Sequence, residues 1–207
     1  GGNNWSDISF PGTADNLETV WFLNDNTGFI GSTNDTLMFT TNGGASWSRH
    51  FYAGSDVHRI FFINSTTGWL SSTNLYKTTN AGVNWTLAAN GYAENFYFLN
   101  ENMGWKTSYS GGNSALLKTT NGGASWNTIH TTTNFRVIYS VKFINENTGW
   151  VSGYREYIAA TTNGGVNWVQ QRDMDNSVGL YNIQFLNSTS GWAVGDNGTI
   201  LSTTNGG

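Results

Sequence analysis

The chain has 207 residues, of which 11% are charged and 15% aromatic, and its formal net charge is −4. Its five Arg and four Lys are scattered rather than clustered, so no basic face neutralises phosphates and nucleic acid is excluded as a partner. The absence of cysteine removes disulfides, thiol nucleophiles and thiolate metal sites, and no apolar run approaches the roughly 20 residues that span a bilayer, so no membrane insertion is expected.

The sequence opens on Gly1-Gly2-Asn3-Asn4-Trp5, and Asn4–Phe10 reads as a short strand. A unit of about forty residues then repeats. The first unit, Val20–Phe51, carries VWFLNDNTGF at Val20–Phe29 and TTNGGASW at Thr40–Trp47. The second, Ile60–Ala89, carries IFFINSTTGW at Ile60–Trp69 and TTNAGVNW at Thr78–Trp85. The third, Phe96–His130, has FYFLNENMGW at Phe96–Trp105 and TTNGGASW at Thr119–Trp126; the fourth, Val141–Arg172, has VKFINENTGW at Val141–Trp150 and TTNGGVNW at Thr161–Trp168. The fifth, Ile183–Gly207, has IQFLNSTSGW at Ile183–Trp192 and TTNGG at Thr203–Gly207. Trp5, Trp47, Trp85, Trp126 and Trp168 are separated by 42, 38, 41 and 42 residues.

Each unit reads as four short strands. In the fourth, Val141–Ile144 is the first strand, Asn145–Gly149 a hairpin turn, Trp150–Gly153 the second strand, Tyr157–Thr162 the third, and the fourth starts at Trp168. A period of 40–45 residues with four strands per unit predicts the blades of a β-propeller. Within the octapeptide, the Thr hydroxyl and the Asn carbonyl suit backbone N–H groups of the turn, and the second Gly suits a conformation closed to side chains. Nine of the ten Trp, all but Trp21, fall on repeat positions and are expected as core anchors rather than as a carbohydrate platform.

Thr40-x-Asn42-x-Gly44-x-Ser46-Trp47 resembles the Asp-box of sialidases, sortilin-type receptors and secreted propellers, with Asn in the Asp place. The unit GWAVGDNGTILSTTNGG at Gly191–Gly207 is similar to the repeats of the photosystem II assembly-factor family and its bacterial relatives. The resemblance implies structural boxes at Asn42, Gly44 and Trp47; at Asn80, Gly82 and Trp85; at Asn121, Gly123 and Trp126; and at Asn163, Gly165 and Trp168. It implies a propeller over essentially the whole chain and says little of function, because the same box serves hydrolases, receptors and assembly factors.

The fifth unit carries its box as far as Gly207, and Asn4–Phe10 follows a Gly-Gly that matches the box. The expected fold is therefore all-β: one five-bladed propeller of four-stranded blades over residues 1–207, with blades at about 18–51, 58–89, 94–130, 138–172 and 181–207 plus 4–10. The N-terminal strand completes the last blade in cis. Two alternatives stand beside this, a segment of a longer array and head-to-tail self-association through Asn4–Phe10.

The face away from the boxes is the candidate site. Glu18, His58, Arg59, Glu94, Tyr139 and Tyr181, placed just before the first strands, are expected to ring one mouth of a central channel. Arg59, Arg136 and Arg155 with Tyr139, Glu94 and Asp56 are the residues a sialidase-like site would need, and Glu18 with Glu94 or Asp56 the carboxylates of another glycosidase. Arg49 and Arg172 fall on outer strands. His50, His58 and His130 lack zinc spacing, and Asp196-Asn197-Gly198-Thr199 reads as an Asn-Gly hairpin turn rather than a calcium loop, so neither metal nor cofactor is implied. Sequons stand at Asn4, Asn34, Asn64, Asn84, Asn187 and Asn197.

The expected function is a non-catalytic extracellular or surface propeller that binds a protein or a glycan or serves as a structural scaffold. The Ser/Thr/Asn/Gly-rich, Lys-poor composition suggests the location. Alternatives are a sialidase-like or other glycoside hydrolase, an assembly factor resembling the photosystem II family, and a filament or surface-layer subunit with strand exchange.

Overall fold

A computed structural model of the chain describes Ser6 and residues 16–34, 36–52, 54–91, 93, 95–110, 113–132, 136–174 and 176–207. Asn4–Phe10, apart from Ser6, lies outside the described residues. Runs of β-branched and aromatic residues, broken every few positions by Asn, Gly and Thr, form strands of three to seven residues, each antiparallel to the next. Two compact units divide the chain, Gly1–Leu87 and Ala88–Gly207.

In the first unit β1 (Leu17–Phe22), β2 (Gly28–Ser32), β3 (Thr36–Thr40) and β4 (Ser48–Tyr52) form one meander, and β5 (Arg59–Phe62), β6 (Gly68–Ser71), β7 (Leu75–Thr78) and β8 (Thr86–Ala89) a second. Its core joins Phe29 and Leu37 to Val57, Ile60, Phe62, Leu70 and Trp85. Phe29 stacks on Phe62 at 5.4 Å and 19°, and Trp85 stands perpendicular to both. Fully burying a ring such as Phe29 contributes about 3 kcal/mol, an upper value because the unfolded chain already hides some apolar surface.

In the second unit β9 (Phe96–Phe98), β10 (Gly104–Ser110), β11 (Asn113–Thr119) and β12 (Asn127–Thr131) form one sheet. The next is β13 (Ile138–Phe143), β14 (Gly149–Gly153), β15 (Ile158–Thr161) and β16 (Val169–Arg172). The last is three-stranded: β17 (Leu180–Phe185), β18 (Gly191–Gly195) and β19 (Ile200–Thr203). Trp105 lies flat on Phe143 at 3.8 Å, and Trp150 on Phe185 at 3.6 Å, so each second-strand Trp is covered by the Phe that ends the following blade's first strand.

One expectation is corrected: Trp192 holds the same position in β18 yet is 43% exposed, whereas Trp69, Trp105 and Trp150 are buried. Trp47, Trp126 and Trp168 are half-buried. Tyr157 precedes β15 instead of opening it, since its backbone carbonyl accepts from Gly153 N–H to close the turn between β14 and β15.

The repeat explains the turns at one end of every blade. Thr161 Oγ1 accepts from Gly165 N–H at 2.9 Å and donates to Asn163 Oδ1 at 3.0 Å, which also accepts from Asn167 N–H at 2.9 Å. The same net closes at Thr40–Ser46, Thr78–Asn84 and Thr119–Ser125. The Asn of the second landmark works alike: Asn145 Oδ1 accepts from Asn147 and Thr148 N–H, as do Asn24, Asn64, Asn100 and Asn187 at their turns. A backbone bond from Gly164 N–H to Asn147 O, repeated in all five blades, ties the two turns together. The second box Gly is required by close approach as well as by φ: a Cβ on Gly82 (φ 81°) would lie 2.4 Å from the Phe29 ring.

Candidate functional site

The box end of the blades is spent on its own hydrogen bonds, and the antiparallel meander puts the remaining loops at the opposite end. Among the described residues of the second unit these include 132, 136–137, 154–157, 173–174, 176–179 and 196–199. Their backbones are knit together, by Tyr154 N–H to Val137 O, Glu156 N–H to Val178 O, Met174 N–H to Arg155 O and Asp196 N–H to Gly179 O.

Three candidate residues share a feature absent from the sequence reading. Pairing slips between Leu17 and Thr19, between Ile138 and Ser140, and between Leu180 and Asn182, so Glu18, Tyr139 and Tyr181 are the extra residues of β-bulges. A bulged residue leaves the ladder and its side chain is re-aimed. These residues therefore sit inside their strands, not before them as expected; of the five candidates that are described, only His58 precedes its strand. Arg59 opens β5, and burial lowers its pKa from the ordinary arginine value. Glu94 lies outside the described residues.

The structure brings Tyr139 and Tyr181 together, ring centroids 5.1 Å apart and tilted by 38°. Tyr181 is 52% exposed and its hydroxyl donates to Asp196, 3.0 Å from Oδ1 and 3.1 Å from Oδ2. Asp196 Oδ2 also accepts from Gly179 N–H at 2.8 Å. The bond to Asp196 raises the Tyr181 pKa above the ordinary phenol value, since the phenolate would face a carboxylate. Asn197 (φ 56°) and Gly198 (φ 71°) form the expected Asn-Gly hairpin turn that holds Asp196 in place.

The corresponding turn between β14 and β15 carries Arg155 (φ 67°) and Glu156 (φ 51°), a left-handed pair with two side chains. Tertiary contacts hold it. Glu156, 8% exposed, accepts from Arg172 Nε at 2.8 Å, from Arg172 Nη2, and from Asn176 Nδ2 at 2.6 Å. These bonds, Arg172 first, keep its carboxyl below the usual glutamate range. Arg172 lies at the end of β16, an outer strand as expected, and reaches back to this loop, a role the sequence reading missed. Arg136 pairs with Asp173. His130 Nε2 meets the Tyr157 hydroxyl at 2.9 Å beneath Trp168; burial lowers the pKa of His130 and pushes that of Tyr157 up to about 12.

Among the described residues no group of three or more His, Asp or Glu gathers to hold a metal ion, and no helix is long and apolar enough to cross a membrane.

Residues 124–207 match the family profile described as Photosynthesis system II assembly factor YCF48. The blades are Asp-box β-propeller repeats, similar to those of that family. Among solved structures the Asp-box chain resembles the GH74 xyloglucanase from Xanthomonas campestris, with TM-score 0.68 at 12% identity over 87% of this chain and 35% of that one. The WD40 β-propeller domain of Doa1 follows at 0.65 and 8% identity, over 93% and 66% of the two chains. A structure of YCF48 bound to D1 peptide aligns over 95% of both chains at 15% identity, with TM-score 0.49. No curated protein matches the chain in sequence. At these identities the structural likenesses speak for the propeller fold alone.

Proposed function

We propose that this chain is a non-catalytic, extracellular or cell-surface propeller whose loop end binds a partner, and that Asn4–Phe10 lies along β19 to close its five blades into one ring. The observation that carries the reading is the Tyr139–Tyr181 pair. Two bulged aromatic residues sit side by side, one of them half-exposed and fixed at its tip by Asp196. Rings with few torsions and a hydrogen-bonding tip are what binding surfaces favour, because ordering them costs little entropy. In a closed ring Glu18, His58, Arg59 and Glu94 would supply the same end of the other blades.

A protein partner fits this surface better than a glycan substrate. The family match over 124–207 supports a polypeptide, as for an assembly factor. Recognition would rest on aromatic and hydrogen-bonding groups rather than on a basic patch, since Arg136 and Arg172 are each tied to a carboxylate. Glu156 is unsuited to the role of a glycosidase acid, which needs a raised pKa, whereas its own is lowered.

The test presents the labelled chain to peptide and glycan arrays and compares wild type with Tyr181→Ala and Tyr139→Ala. Peptide binding lost in both variants, with no turnover of chromogenic glycosides or xyloglucan, is the expected outcome. Glycoside turnover that survives in neither variant would replace this reading with a hydrolase.

A further inference from the structure

Tyr139 and Tyr181 are the bulged residues of consecutive blades, and both close over one backbone position, Gly179. A Cβ built there would lie 3.0 Å from the Tyr139 ring, 3.3 Å from Tyr181 Cζ and 3.3 Å from Asp196 Oδ2. The missing side chain thus lets two rings and a carboxylate meet at one point. Gly179 is pinned beneath them. It forms a β-bridge with Tyr154 of the neighbouring blade, and its carbonyl accepts from Asp196 N–H at 3.0 Å. Groups held in this way lose little freedom when a ligand arrives.

The hydrogen-bond donors at this point are spent within it. Gly179 N–H goes to Asp196 Oδ2 at 2.8 Å, Asp196 N–H to the Gly179 carbonyl, and the Tyr181 hydroxyl to the same carboxylate. What remains for a ligand is the electron-rich face of the exposed Tyr181 ring and the carboxylate itself, whose Oδ1 accepts only from Tyr181 and keeps a lone pair. Among the described residues Asp196 forms no ion pair, whereas Asp173 and Glu156 hold Arg136 and Arg172. In a chain of net charge −4, such a surface complements a cation.

We propose that Tyr139, Tyr181 and Asp196 form a receptor for an arginine side chain of the polypeptide partner. The inference rests on the reading that the loop end binds a polypeptide, and adds the chemistry it recognises. The guanidinium lies flat on the Tyr181 ring and donates in its own plane to Asp196 Oδ1. Arginine suits this site better than lysine, because its planar and weakly hydrated head stacks on an aromatic face and reaches a carboxylate in the same pose. An acidic segment would meet the carboxylate with these three donors already used, and is repelled.

The test titrates the isotope-labelled chain with the capped tripeptide Gly-Arg-Gly and with its citrulline counterpart, which keeps the shape and loses the charge. The amide signals of Gly179, Tyr181 and Asp196 are followed by NMR. The arginine peptide should shift them saturably, and the citrulline peptide should bind more weakly by about fivefold, as a stacked cation and an exposed charge pair together imply. Asp196→Asn, which keeps an acceptor for Gly179 N–H, and Tyr181→Leu should each weaken arginine binding, while the remaining amide signals show that each variant is folded. Equal binding of the two peptides, arginine binding unchanged in Asp196→Asn, tighter binding of Gly-Lys-Gly, or no shift with the arginine peptide would each overturn the inference. The wider reading fails separately. Array peptides that lack arginine, yet are lost in the Tyr variants, would overturn the arginine assignment and leave the loop end a binding surface.

Discussion

Glu156 offers a perturbation in which two opposing effects can be separated. Glu156→Ala removes a carboxylate that accepts three hydrogen bonds, two of them from Arg172. Arg172 remains 37% exposed and can rehydrate, so the cost is about 1–2 kcal/mol, below that of breaking a fully buried pair. Alanine keeps a Cβ at φ 51°, whereas Glu156→Gly relieves that left-handed strain, worth about 1 kcal/mol. The glycine variant should thus be the more stable of the two by about 1 kcal/mol, or about 2–4 °C in Tm. Near-ultraviolet circular dichroism during thermal unfolding measures both. The pH dependence has a definite sign. A carboxyl whose pKa is lowered on folding stabilises fully above its unfolded value, about 4.3, and loses that contribution as pH falls through the lower folded value. The gap between wild type and Glu156→Gln should hold from pH 7 to pH 5 and narrow below about pH 4. A glycine variant no more stable than the alanine one, or a gap that widens in acid, would refute the reasoning.

Other outcomes follow from the same geometry. Ala81 replaces the first box Gly at φ 56°, so Ala81→Gly should raise stability by about 0.5–1 kcal/mol in urea unfolding, strain relief exceeding the added unfolded-state entropy. Gly82→Ala drives a Cβ to 2.4 Å from Phe29 and should cost about 2–4 kcal/mol in the same assay. In a spectrophotometric titration Tyr181 should ionise above the ordinary phenol range, and Asp196→Asn should bring it down; an unchanged titration would deny the bond to Asp196. Tyr157, buried against His130, should titrate near the top of the same scan, at about 12.

The box was legible because each of its residues acts locally: Thr161, Asn163 and Gly165 make their bonds within the octapeptide, so spacing alone shows the turn. The Asn of the second landmark was legible as a turn residue for the same reason. The bulges at Glu18, Tyr139 and Tyr181 were not, because a bulge is a property of the pairing between strands and leaves no composition signal. Nor was the Arg155–Glu156 turn, whose residues have no preference for left-handed backbone and are held by Arg172 at the end of β16 and by Asn176 in the loop that follows it. Nor was the exposure of Trp192, because the repeat fixes a Trp's place in its own blade and not what covers it.

A crystal structure of residues 1–207 tests the central claim most directly. The account predicts five four-stranded sheets around one axis, with backbone density for Asn4–Phe10 paired along Ile200–Thr203. An open row of blades, or a last sheet left with three strands, would contradict it.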